Sequence, residues 1–148
     1  MTNFGTIPWI ADHTKLYKTD PEAAHLWDSS VAGGPGPLPC LLLTTTGRKT
    51  GEPRDSPLIY GTHGSSYVVI GSKGGWATHP HWFKNLQANP ECDVQVASKK
   101  LRARMRVAEG AEREQLWKQL AALYPPYDDY QKTAGDRVIP VVVLDPIP

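Results

Sequence analysis

The sequence predicts an α+β domain in which about six mostly antiparallel strands follow a closed-barrel plan with a few helices packed around it. Three observations predict it. Apolar and β-branched runs of strand length recur along the chain. Short polar loops with glycine join successive runs, and helical periodicity is confined to a few segments.

At 148 residues the chain fits one hydrophobic core. With 40% hydrophobic and 21% charged residues it belongs to neither the disordered nor the membrane-embedded class. A formal charge of +1 gives no global field to gather nucleic acid, so any anion has to be held by a local cluster. Cys40 and Cys92 are the two cysteines, and no secretory leader is seen before the domain, so a reducing cytoplasm is the simple expectation. Cys40 opens an apolar run and reads as a packing thiol. Phe4, Ile7, Trp9 and Ile10 form a short apolar N-terminus, expected to pack onto the domain rather than to enter a membrane.

Asp20 before Pro21 and a run of helix formers signals a helix start, expected to continue to about residue 30. Residues 32–39 hold three glycines and three prolines and read as a linker, dividing an N-terminal helical segment (1–39) from a barrel domain (40–148). Strands are expected over 40–46, 54–61 and 66–70, the last two joined by the loop 62–65. Trp82, Phe83 and Leu86 put one apolar side on a helix over 79–89, which Pro90 ends by restricting Asn89. Residues 92–97 alternate in period two. Over 101–108 Leu101, Ala103, Met105 and Val107 oppose Arg102, Arg104 and Arg106, a hairpin with one wet face. Leu116, Trp117, Leu120, Ala121 and Tyr124 stripe a helix over 111–124, and 138–144 reads as a buried strand.

The densest chemical feature is Thr44 to Thr46, Gly47, Arg48, Lys49, Thr50, Gly51 and Arg54. Its glycines free backbone N–H groups, and its cations supply a planar fork and a point charge, as an anion cradle requires. A solvated hairpin turn uses the same residue types. Gly71, Ser72, Lys73, Gly74 and Gly75 follow a strand directly and precede a helix start, so backbone could approach a flat anionic ligand, or merely turn there. Tyr124, Tyr127 and Tyr130 recur every three residues and would share one side of a helix or turn, suited to shape and hydrogen bonding. His79 and His81, flanking a proline without nearby Cys or clustered carboxylates, make no metal site. Neither a Walker loop, a nucleophile elbow nor a dinucleotide fingerprint is found.

In this order, the stretch from Leu41 through Arg54, Ser72 to Gly75, His79-Pro-x-Trp82 with Asn85, Asn89 and Pro90, Tyr127-x-x-Tyr130, and Ile139-Pro with three valines resemble the deazaflavin-dependent nitroreductase family. The resemblance implies a split β-barrel and coenzyme F420 as cofactor. It implies contacts to the cofactor's phosphate and tail by Arg48, Lys49, Thr50 and Arg54, with Asp55, Ser56, Pro57, Leu58 and Ile59 lining the groove. Ile70, Gly71, Ser72 and Lys73 would meet the deazaflavin ring, and His81, Trp82, Phe83, Lys84 and Asn85 would close over it. Tyr124, Tyr127 and Tyr130 would form the substrate pocket, Tyr127 also near the cofactor, with Ser72 and the tyrosines as catalytic hydrogen-bonding groups. The implied reaction is hydride transfer to a quinone, an activated C=C or a nitroaromatic. An F420 carrier without efficient turnover and an FMN-dependent oxidase on a related barrel are the alternatives.

Overall fold

The computed structural model describes residues 8–148; Phe4 and Ile7 lie outside the described residues. The helices are α1 (Pro8–Thr19), α2 (Pro21–Ala24), α3 (His81–Ala88), α4 (Gly110–Leu123) and α5 (Pro126–Thr133). The strands are β1 (Leu26–Asp28), β2 (Pro37–Thr46), β3 (Pro53–Ile59), β4 (Gly61–His63), β5 (Ser66–Ile70), β6 (Glu91–Val96), β7 (Lys99–Val107) and β8 (Val141–Pro146). Every pairing is antiparallel, in the order β1-β2-β6-β7-β8-β5-β4, with β3 also on β2. The sheet curls into a half-barrel, as a split barrel does. Among the described residues no helix is long and apolar enough to cross a membrane.

Alternation on the strands explains how one sheet carries two cores. Cys40 of β2, Val68 and Ile70 of β5 and Val141 and Val143 of β8 face one way, against Leu116 and Leu120 of α4 and Tyr127 of α5. Leu41 and Leu43, Val69, and Val142 and Leu144 face the other, with Trp82, Phe83 and Leu86 of α3. Both faces are therefore covered, which is why β2, β5 and β8 read as nearly continuous apolar runs. On β7, by contrast, Arg102, Arg104 and Arg106 stay on the wet face.

Several expectations need correction. The helix begun at Asp20 stops at Ala24 instead of continuing to residue 30. The Asp20 cap forms, its carboxylate accepting from Ala23 N–H. Beyond it the chain is drawn into the sheet, where Leu26–Asp28 pair with Pro37–Pro39 and Cys40 N–H donates to His25 C=O at 2.7 Å. β2 accordingly starts at Pro37, inside the Gly/Pro stretch, and the described residues form eight strands, two of them only three residues long, where about six were expected. Pro37 and Pro39 are tolerated because they sit at the strand's beginning. The final strand begins at Val141, not Val138, which is 65% exposed; ahead of the strand Ile139 N–H donates to the Gln131 side chain. The 54–61 run is two strands, β3 and β4, separated at Tyr60. α1 and α5 are additional helices.

α1 is fixed to the barrel by Tyr17, which is fully buried. Its hydroxyl donates to Cys40 C=O at 2.8 Å and accepts from Ala97 N–H at 3.0 Å, and burial pushes its pKa up to about 12. Lys18 adds an ion pair of 2.7 Å to Asp55 of β3. Both cysteines are buried, and burial raises both thiols. They are poor thiolates.

Candidate active site

The loop between β2 and β3 closes through Gly47 N–H to Glu52 C=O and Gly51 N–H to Gly47 C=O, both 2.8 Å, with Gly51 at φ +76°. Arg48 ties this loop to α3. Its backbone N–H and its Nη1 both donate to Asn85 Oδ1, at 3.2 and 2.8 Å, and its Nη2 donates to His81 Nδ1 at 3.2 Å. Asn85 is 2% exposed and gives its own Nδ2–H to Thr45 Oγ1 at 3.1 Å. Asn85 is thus a buried strut beneath the cationic loop. Lys49 and Thr50 are exposed at its tip, Thr50 Oγ1 accepting from Glu52 N–H, and Arg54 projects outward with Glu52 at 3.7 Å.

After β5 the chain turns through Lys73 (φ +47°), Gly74 (+62°) and Gly75 (+82°), three successive left-handed residues. Glycine is required twice nearby: a Cβ at Gly71 would come 2.7 Å from Pro140, and one at Gly75 would come 2.9 Å from Tyr130 C=O. Arg137, which no local motif singles out, clamps this loop. It donates to the carbonyls of Gly71 (2.9 Å), Ser72 (2.7 Å) and Trp76 (2.8 Å), and lies 3.2 Å from His79 Nδ1. An arginine therefore faces Nδ1 of His79 as one faces Nδ1 of His81, an arrangement that repels a metal cation.

Cations converge at the start of α3, while the nearby carboxylates Glu52 and Asp55 pair with Arg54 and Lys18. Burial, then Arg48, Lys73, Lys84 and Lys49, lower the pKa of His81. Burial, then Lys84 and Arg137, lower that of Lys73. The field at the start of α3 is positive, and a bound anion would relieve it.

Beside this cationic end opens a cavity of about 220 Å³. Asp55 to Ile59 of β3 form one wall, Ile70, Ser72 and Lys73 another, and His81 and Trp82 of α3 a third. The rest of the lining is largely aromatic and includes Trp9, His13, Trp27, Tyr124, Tyr127 and Tyr130. Trp9 and Trp27 stack at 5.2 Å and 20°. Trp9 and Ile10, expected to pack onto the domain, are thus part of the wall; His13, Trp27, Ala32 and Cys40 also line it, and no sequence motif marks them as site residues. Gly71, Phe83, Lys84 and Asn85 stand behind the lining, Phe83 being 4% exposed against His79 at 4.9 Å.

The three tyrosines do gather on one side, with Tyr124 and Tyr127 edge to face at 4.8 Å. Their hydroxyls differ in employment. Those of Tyr124 and Tyr130 bond each other at 2.6 Å, and both reach Ala32 C=O, at 3.2 and 3.5 Å. The Tyr127 hydroxyl and Ser72 Oγ make no hydrogen bond with any described residue. Since no described polar side-chain atom is both sealed and unpartnered, each must open to solvent, which for these cavity-lining residues is the cavity. Burial holds the Tyr127 phenol well above its usual pKa, so it is a neutral donor.

A pH dependence of stability follows. His13, His79 and His81 all have folded pKa values below 6.5, each chiefly through burial. As pH falls through 6.5 the unfolded chain takes up these protons first, so stability falls until the folded values are passed. The melting temperature at about pH 5.5 should be lower than at about pH 7.5, a window above the carboxylate titrations. Thermal unfolding followed by circular dichroism checks this.

A half-barrel with a cationic groove running into an aromatic cavity defines a split-barrel oxidoreductase. The chain belongs to the F420H2-dependent quinone reductase family, whose sequence model matches residues 16–146. It is 36% identical to a putative F420H2-dependent quinone reductase of Mycobacterium tuberculosis H37Rv over 78% of this chain and 96% of that one. It is 37% identical to a putative F420H2-dependent quinone reductase of Mycobacterium bovis over 74% of this chain and 75% of that one. Among solved structures it is similar to an F420H2-dependent reductase, FDR-A, with a TM-score of 0.66 and 42% identity over 72% of this chain and 93% of that one.

Proposed function

We propose that this protein reduces quinones with F420H2, and that enones or nitroaromatics are further acceptors of the same cavity. The observation that carries the reading is the junction of a cationic cluster with an aromatic cavity whose lining holds three uncommitted hydroxyls, those of Ser56, Ser72 and Tyr127, within a chain of this family. F420 is a polyanion with a flat ring, and the residues present fit both parts. Arg48, Lys49, Thr50 and Arg54 would hold the phosphate and tail, Asp55 to Ile59 the groove, and Ile70, Gly71, Ser72 and Lys73 the ring. His81, Trp82, Phe83, Lys84 and Asn85 would form or support the cover.

When bound in reduced form, the deazaflavin supplies the hydride. The protein's part is placement and charge stabilisation. Trp9, Trp27 and the tyrosines orient a planar acceptor and exclude water. Tyr127 and Ser72 donate hydrogen bonds to the oxyanion that develops on the acceptor. Tyr124 and Tyr130, bonded to each other and to Ala32, hold the wall of the substrate pocket in place.

Oxidation of F420H2 by menadione, followed by recovery of deazaflavin absorbance, tests the reading. Turnover supports it; tight F420 binding without turnover would indicate a carrier, and a purified protein loaded with FMN would indicate an oxidase. Replacing Lys49 and Arg54 together with Ala should weaken F420 binding about tenfold or more at low salt and flatten its salt dependence, because two screened cation–anion contacts are removed. Fluorescence titration at two ionic strengths measures both effects.

A further inference from the structure

One buried imidazole in the cavity wall, that of His13, takes no part in holding the cofactor or in hydride transfer. His13 on α1 is 8% exposed, and its ring lies between Trp27 (6.3 Å, nearly parallel) and Tyr17 (6.0 Å). It therefore belongs to the aromatic part of the cavity lining. Its Nε2 is 2.8 Å from Ala24 C=O. A carbonyl can only accept, so Nε2 carries the proton and, in the neutral ring, Nδ1 is a bare lone pair.

No described residue bonds that lone pair. It is also not sealed, since no described buried side-chain polar atom lacks both a partner and solvent access. His13 lines the cavity and its unbonded nitrogen keeps access to solvent, so a ligand in the cavity is where that nitrogen would find a donor.

We propose that His13 is a specificity-determining residue of the acceptor subsite, whose Nδ1 receives a hydrogen bond from a hydroxyl on the acceptor or on its reduced, hydroquinone-type product. The inference rests on the reductase reading and adds a polarity to it. Tyr127 and Ser72 offer donors, suited to the carbonyl oxygens of an incoming quinone. His13 offers an acceptor, which a quinone cannot satisfy and a hydroquinone can. The same atom favours acceptors that carry a hydroxyl of their own over otherwise similar ones that do not.

The test is anaerobic calorimetric titration of the full chain with 1,4-dihydroxynaphthalene and with 1,4-dimethoxynaphthalene, which cannot donate. The wild type should bind the diol about three- to tenfold more tightly, the size of one neutral hydrogen bond. His13→Gln retains an amide where Nε2 bonds Ala24 and lacks a δ acceptor; it should keep its fold by circular dichroism and lose the preference. His13→Asn keeps an acceptor at the δ position and should retain part of it. Long-range ¹H–¹⁵N spectra of wild-type histidine side chains supply a readout free of substitution: the diol should shift His13 Nδ1, and the dimethyl ether should not. Equal binding of the two ligands, binding of neither, or a preference that survives in His13→Gln would overturn the assignment. Failure of the reductase reading shows separately, as absence of F420H2 oxidation by quinones.

Discussion

Replacing Arg137 with Ala is expected to destabilise the protein by about 3 kcal/mol and to weaken F420 binding by more than about tenfold. Its guanidinium donates to three carbonyls of one loop, those of Gly71, Ser72 and Trp76, at 2.7 to 2.9 Å. Truncation leaves partly buried acceptors without their charged donor, a loss well above that of an exposed ion pair. The loop it restrains passes through left-handed Lys73, Gly74 and Gly75, a conformation that a chain free to relax would leave. Ser72 and Lys73 would lose their register against the cavity. Arg137→Lys should recover little, because a point charge cannot span three carbonyls that match a planar fork. Urea unfolding and F420 titration of both variants measure the two effects, and an Arg137→Ala protein with unchanged affinity would remove the loop from the cofactor site.

Arg137 also shows why part of the site is hidden in the sequence. It sits in a polar stretch, Gly135-Asp136-Arg137, that looks like any solvated connection, while its partners lie 61 to 66 residues earlier. No local pattern reports such a pairing. β1 is obscure for the same reason: three residues, Leu26–Asp28, become a strand only because Pro37–Pro39 return beside them. A proline-bounded local signal favoured helix there, and tertiary pairing overrode it. α5 begins at Pro126 with Asp128 and Asp129 in its first turn, good helix-start chemistry, yet it carries too few apolar residues to display a stripe. What was legible was what repeats locally. β5 matches its expected span of 66–70, and β6 and β7 differ from the predicted hairpin by a residue or two, because period-two alternation is a short-range signal. The cationic loop and the tyrosine triplet were visible as compact motifs. Their division of labour was not, since nothing in Tyr124, Tyr127 and Tyr130 as letters says which hydroxyls are already committed.

That division sets the second large effect. Tyr127→Phe should lower kcat for quinone reduction about 10- to 100-fold while leaving stability and F420 affinity near wild type. The hydroxyl has no described hydrogen-bond partner, so its removal breaks no native bond, and the ring keeps its edge-to-face contact with Tyr124 at 4.8 Å. Only a developing oxyanion on the acceptor would miss it. Tyr124→Phe should do the reverse. It removes a 2.6 Å bond to Tyr130 and a 3.2 Å bond to Ala32 C=O, costing about 1 to 2 kcal/mol of stability, with a smaller loss of kcat through disturbance of the wall. Steady-state kinetics with menadione and thermal unfolding of the two variants distinguish these roles. A Tyr127→Phe protein that turns over normally would transfer the hydrogen-bonding role to Ser72 or Ser56, the two other cavity-lining residues whose hydroxyls bond no described partner. A Tyr127→Phe protein that unfolds early would mean that the hydroxyl has a structural partner in the native state and is not held in reserve for the acceptor.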